Sequence, residues 1–187
     1  MADTPASPSL RYLRYGTVAV ALHWLLALMI FGSLGVGLYM HDLPLSPTRL
    51  RLVNWHKWSG ITILLLSALR LLWRLWHPPP PDLPMPPWQR RAAHAAHGAL
   101  YLLFFAVPLA GWAYSSAVGF PVVLYGVLPL PDFVAPDRAL AATLKGLHGL
   151  LAYALAAVIG VHAAAALKHH FIDHDGLLLR MLPARRL

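Results

Sequence analysis

Long apolar runs separated by short charged or proline-rich stretches set the plan of this chain. Thr17–Met40 is 24 residues without a Lys, Arg, Asp or Glu, and Gly146–Leu167 is another 22. The stretch from Ala92 to Pro131 contains a third run. About 20 such residues cross a bilayer. A fourth run is interrupted by Lys57, Arg70 and Arg74, but its centre, WSGITILLLSAL, is apolar. The two arginines lie near its exit, where long side chains reach the interface. The pattern predicts an all-α membrane protein, a four-transmembrane-helix bundle in one domain over 1–187, with helices at about 15–40, 54–76, 92–117 and 143–170. The segment HPPPPDLPMPP after Trp76 cannot be helical and reads as a stiff linker. Pro108 is an expected kink in the third helix, which should end near Gly119, and VLPLPDFVAPDRA reads as a loop outside the membrane.

Charge orients the bundle. Ten basic residues fall on one side: Arg11, Arg14, Arg70, Arg74, Arg90, Arg91, Lys168, Arg180, Arg185 and Arg186. Five fall on the other: Arg49, Arg51, Lys57, Arg138 and Lys145. The excess predicts that both termini are cytoplasmic. The formal charge of +8 on 187 residues is explained by this topology and gives no reason to expect a nucleic-acid partner. Only 12% of residues are charged, against about a quarter in soluble domains. The chain has no cysteine, which excludes thiolate-held clusters and covalent haem attachment through C-x-x-C-H. A metal here would take His, Met or oxygen ligands.

Histidines inside the spans are the unexpected feature, because buried ring nitrogens need partners. His148 and His162 lie fourteen residues apart in one helix. That spacing is about 21 Å of axial rise and about 40° of rotation, so both rings share a face, one toward each membrane surface. His23, early in the first helix, falls at the depth of His162. His56, early in the second, falls at the depth of His148. Two opposed pairs result, His23 with His162 on the cytoplasmic side and His56 with His148 on the outer side. Opposed neutral imidazoles suit bis-histidine ligation of two non-covalent haem b groups. Helix–helix hydrogen bonding is the competing reading for any one of these residues. Gly32, Gly35 and Gly37, with Gly149 and Gly160, are expected either to admit a macrocycle or simply to let helices pack closely. Arg70, fourteen residues after His56, falls at the inner depth and is a candidate counter-ion for a haem propionate, with snorkelling as its alternative. On the outer side Lys57, Arg49 and Arg51 are available for the same purpose.

The remaining histidines carry weaker signals. His169, seven residues after His162, is the candidate for a hydrogen bond to a quinone carbonyl. His94 and His97 open the third helix and read as interfacial residues, with a propionate or quinone contact as the alternative. His41, His77, His170 and His174 read as loop or interface residues.

ALHWL in the first helix, WHKWSG opening the second, and LHGLLAY with GVHAAAALKHHF in the fourth resemble the bacterial cytochrome b561 family. The closing stretch HAAAALKHHFIDHDGLLLRMLP is most similar to that of the superoxide-oxidising type within the family. The resemblance runs from about Tyr12 to Arg186. It implies two haem b groups, with His23, His56, His148 and His162 at the family's ligand positions, and electron exchange with ubiquinone in the inner membrane. Superoxide is then the expected donor, steered by Arg49, Arg51, Lys57, Arg138 and Lys145, unless these are only solvated or headgroup-facing charges. An electron-transfer or anchor subunit of a separate dehydrogenase or hydrogenase is the alternative. A haem-free metal or proton transporter is disfavoured, because all seven acidic residues fall in loops or tails.

Overall fold

Three of the four long helices begin at a side-chain cap or a proline, and the first simply follows Gly16. The structure, a computed structural model, describes residues 14–182. Of the cations counted above, Arg11, Arg185 and Arg186 lie outside the described residues. Helix α1 is Thr17–His41, α2 Pro47–Trp76, α3 Pro87–Val118 and α4 Arg138–Lys168. Each is long and apolar enough to span a membrane.

Three helices start five to seven residues earlier than the apolar runs suggest. Before α2, the Ser46 hydroxyl accepts a hydrogen bond from the Arg49 amide at 3.2 Å, and Pro47 occupies the first helical position. Before α4, Asp137 accepts from the Leu140 amide at 2.9 Å. Pro87 opens α3 directly after Pro86, where the missing N–H costs nothing. These first turns are too polar or proline-rich to register as apolar, yet they are helical. Pro108 lies inside α3 without ending it. Gly119, at φ +75°, closes α3 in the left-handed conformation that glycine adopts most easily. The end of α4 passes into a π-helical turn at His169–Asp173, and a 3-10 turn follows at Leu178–Met181.

Consecutive helices are the close backbone neighbours: α1 with α2, α2 with α3, and α3 with α4. All four contribute to one apolar layer at mid-depth, made of Leu26, Ile30, Ile63, Leu100, Leu103 and Leu155. Leu155 stands seven residues from both His148 and His162, so this layer lies between the two histidine levels. Large apolar side chains such as Leu28, Leu102 and Leu150 are 67–70% exposed on the outside of the bundle, as lipid-facing residues are.

The two ends of the bundle are finished differently. At the hairpin end, a two-stranded antiparallel ribbon of β1 (Val123–Leu124) and β2 (Leu128–Pro129) folds over the helices. Trp58 Nε1 donates to the Val123 carbonyl at 2.7 Å, and the hydroxyls of Thr62 and Tyr125 lie 2.6 Å apart. Trp112 Nε1 donates to the Pro131 carbonyl at 3.1 Å. At the tail end, the segment after α4 folds back across the start of α1. Trp24 Nε1 donates to the Met181 carbonyl at 2.7 Å, and Arg14 donates to the Leu179 carbonyl at 3.0 Å. Arg180 is buried and reaches the Pro81 carbonyl of the proline-rich linker at 2.8 Å.

Candidate functional site

The helix order brings the intramembrane histidines together in two layers. Near the tail end, the rings of His23 on α1 and His162 on α4 have centroids 6.3 Å apart. Near the hairpin end, those of His56 on α2 and His148 on α4 are 6.0 Å apart. Helix α4 thus supplies one ring to each layer, and α1 and α2 supply the partners.

These separations test whether the residues suit a shared metal. An imidazole nitrogen binds a metal at about 2 Å, and adding roughly 1 Å from nitrogen to ring centre on each side gives centroids about 6 Å apart. Both pairs match that span. Direct stacking would hold the rings closer, as Trp73 and His77 show with centroids 3.8 Å apart.

In the hairpin-end pair the nitrogen not needed by a metal is already engaged. His56 Nδ1 donates toward the Ser33 carbonyl at 3.1 Å, with the Ser33 hydroxyl at 3.2 Å. His148 Nδ1 donates to the Val107 carbonyl at 3.0 Å. Both rings are thereby fixed in the tautomer that leaves Nε2 as a lone-pair donor, the arrangement usual for ligating histidines. The Ser59 hydroxyl extends this network, lying 3.0 Å from Ser33 Oγ and 2.9 Å from the His56 carbonyl oxygen. Among the described residues, neither ring of the tail-end pair makes such a bond.

Two glycines seat the same rings. A Cβ on Gly37 would lie 3.1 Å from His56 Cε1. On Gly111 it would lie 2.9 Å from His148 Cε1 and 3.0 Å from its Nδ1. Gly37 therefore makes room for an imidazole of the neighbouring helix. Gly111 does the same for His148 and was not singled out from sequence. It stands 37 residues from the ring it clears, so spacing within one helix gives no sign of it. Gly32, Gly35, Gly149 and Gly160 face open space at that distance.

At the tail end a third ring joins the pair: the centroid of His97 on α3 is 5.4 Å from that of His162. Its neighbour His94 instead pairs with Asp82 at 3.2 Å in an exposed position. Arg70 Nη1 donates to the Ala19 carbonyl at 3.0 Å, one helical turn before His23. With Arg74, Tyr15, Tyr101 and Trp73, Arg70 lines a small cleft at this level. Ser67, on the same stripe of α2, is fully buried, and its hydroxyl has no partner among the described residues. His169 is buried in the π-helical turn, with Nδ1 2.5 Å from Asp175 and 3.2 Å from Asp173. Lys168 also reaches Asp173, at 2.6 Å.

At the hairpin end Lys57 is engaged within the fold. Its ammonium donates to the Phe120 and Pro121 carbonyls at 2.7 and 2.9 Å and sits over the Phe120 ring. Arg51, Arg138 and Lys145 remain exposed there, and Arg49 is half-buried.

Residues 14–184 match the family described as prokaryotic cytochrome b561. The chain belongs to that family. Cytochrome b561 homolog 2 of Escherichia coli (strain K12) is 39% identical over 171 residues, covering 90% of this chain and 91% of the relative. A protein of Yersinia pestis named "Probable superoxide oxidase CybB" is 35% identical over 175 residues, covering 92% and 98%. Cytochrome b561 homolog 1 of the same Escherichia coli strain is 33% identical over 175 residues, covering 92% and 99%. The chain is thus a membrane electron-transfer protein of a family whose cofactor is b-type haem. Its four membrane-spanning helices are those of a prokaryotic membrane cytochrome.

Proposed function

We propose that this family member is a diheme wire, taking electrons at the hairpin end and delivering them to ubiquinone at the tail end. The observation that carries this reading is the pair of opposed imidazoles at each level, with ring centroids 6.3 and 6.0 Å apart. His23 with His162, and His56 with His148, would hold two haem b groups. Haem b held in this way supplies reversible one-electron iron chemistry. The protein sets position, tautomer and local charge. Arg70 and Arg74 provide positive charge for propionates at the tail-end level. The ten-to-five distribution of basic residues supports a cytoplasmic tail end, and an inner-membrane location goes with exchange with ubiquinone.

Quinone chemistry needs protons as well as electrons, and His169 is suited to handle them. Its Nδ1 is held by Asp175, which leaves its other nitrogen to donate to a quinone carbonyl oxygen or to accept from a quinol hydroxyl at the cytoplasmic rim. Superoxide is the donor this reading favours, because the Yersinia pestis relative bears that activity in its name. Arg51, Arg138 and Lys145 are the exposed cations at the hairpin end that would attract a small anion.

The test begins with the dithionite-reduced minus oxidised spectrum of detergent-purified protein, with haem-to-protein stoichiometry. Two b-type haems per chain are expected, and none would refute the reading. Stopped-flow mixing with superoxide, with and without ubiquinone, then decides the donor. Reduction by superoxide followed by quinone-dependent reoxidation supports it. Inertness toward superoxide, with a dehydrogenase co-purifying, would reassign the protein as an electron-transfer subunit.

A further inference from the structure

The two histidine layers differ in what stands behind each ring, and the difference acts on redox potential. At the hairpin end both Nδ1 atoms donate to backbone carbonyls, those of Ser33 and Val107, at 3.1 and 3.0 Å. An imidazole that donates in this way gains imidazolate character and becomes a stronger electron donor to iron. Stronger donation stabilises ferric over ferrous iron and lowers the potential.

At the tail end no such bond reaches either ring among the described residues. Positive charge stands there instead: Arg70 bonds one helical turn from His23, and Arg74 lines the same cleft. A cation near the iron favours the state with one fewer positive charge, and so raises the potential. Cations stand near the hairpin-end pair as well. Lys145 lies one turn before His148 on α4, but it is exposed, where solvent and salt screen it. Lys57 follows His56 directly, but it turns about 100° away around the helix, and two carbonyls and the Phe120 ring hold its ammonium. The two effects therefore add with the same sign.

We infer that the Ser33 and Val107 acceptors behind His56 and His148 make the hairpin-end site the lower-potential member of the pair, with Arg70 raising the other, so that the fold itself directs electrons toward the tail end. This rests on the diheme reading above. Within it, Ser33 is a positioning residue: its carbonyl and hydroxyl both face His56 Nδ1, and Ser59 braces the hydroxyl. Arg70 is the opposing residue on the same helix as His56.

The experiment is spectropotentiometry of the purified wild-type protein and of His148→Ala, Ser33→Ala, Ser33→Thr and Arg70→Gln, with haem stoichiometry measured on each. The wild type should resolve two potentials. His148→Ala, retaining one haem, should keep the higher potential and lose the lower. Ser33→Ala removes the hydroxyl acceptor and leaves the carbonyl in place. It should therefore raise the lower potential part of the way, with the higher unmoved, and Ser33→Thr, which restores the hydroxyl, should reverse that shift. An unmoved lower potential removes the hydroxyl from the inference and leaves the carbonyls to be judged by His148→Ala. Arg70→Gln should lower the higher potential alone. A His148→Ala protein that keeps the lower potential overturns the inference, as does a Ser33→Ala shift confined to the higher one. Equal potentials that none of the replacements separates would overturn it too. If Ser33→Ala or His148→Ala loses all haem, Arg70→Gln decides: a shift in the lower potential sinks the assignment. A wild type without two haems would instead defeat the diheme reading, before any ordering of potentials is tested.

Discussion

The hairpin-end and tail-end histidine pairs have nearly equal ring separations and very different surroundings. At the hairpin end each ring is seated by a glycine of another helix and held by a carbonyl behind it. At the tail end the rings have neither device among the described residues. Titratable and cationic groups stand near them: His97 and Arg70, with the His169–Asp175 couple farther along, directly after α4. The first pair is built for fixed geometry. The second, in the proposed function, stands where electrons would meet protons and a larger substrate. The same helix, α4, supplies both, so the contrast comes from its neighbours rather than from its own sequence.

The sharpest way to break the comparison is to remove one ring. His148→Ala should halve haem content and leave the His23–His162 site intact, read by stoichiometry and the reduced spectrum. Retention of two haems would dismiss the pairing. Gly111→Ala should come close to that result without touching a histidine, because a methyl group 2.9 Å from Cε1 and 3.0 Å from Nδ1 displaces the His148 ring. Gly37→Ala meets its ring at 3.1 Å, so a partial loss of haem, smaller than that for Gly111→Ala, is expected on the same assay. The tail end should respond differently. Asp175→Asn should preserve both haems and slow reoxidation by ubiquinone by about 10-fold, less than the ~100-fold or more of losing a general acid–base group outright, because Asp175 acts only through His169. An unchanged reoxidation rate would remove His169 and Asp175 from quinone chemistry. The smallest effect belongs to Arg51→Gln, a few-fold loss in the rate of reduction by superoxide that fades as salt is raised.

Much of the bundle was legible from apolar runs, because a bilayer imposes length and hydrophobicity directly on each span. The helix starts were less so. Ser46-Pro47 and Asp137 are polar cap signals outside the apolar windows, and reading them as caps would have extended α2 and α4 to their observed beginnings. Tyr125 and Gly126, both at positive φ, turn the small ribbon, which the apolar pattern does not reveal. The ring pairs were legible because a fourteen-residue spacing repeats a helical face at two depths. Their supports were not. Gly111, Val107 and Ser33 act across helix interfaces, and their roles depend on rotations about helix axes that no single-helix pattern encodes. His97 is a similar case, since its approach to His162 depends on how α3 and α4 pack.

The apolar layer of Leu26, Ile30, Ile63, Leu100, Leu103 and Leu155 has an electrical consequence. It divides the two histidine levels with side chains that carry no proton-conducting group, so an electron passing between two haems held there would cross it without an accompanying proton. Levels about 21 Å apart span roughly two-thirds of a ~30 Å hydrocarbon core. An electron driven toward a negatively polarised cytoplasm would work against about 1.5 kcal/mol for each 100 mV of membrane voltage. In the proposed orientation this cytochrome is therefore a voltage-sensitive rectifier: an energised membrane slows it, and a drop in membrane voltage releases it.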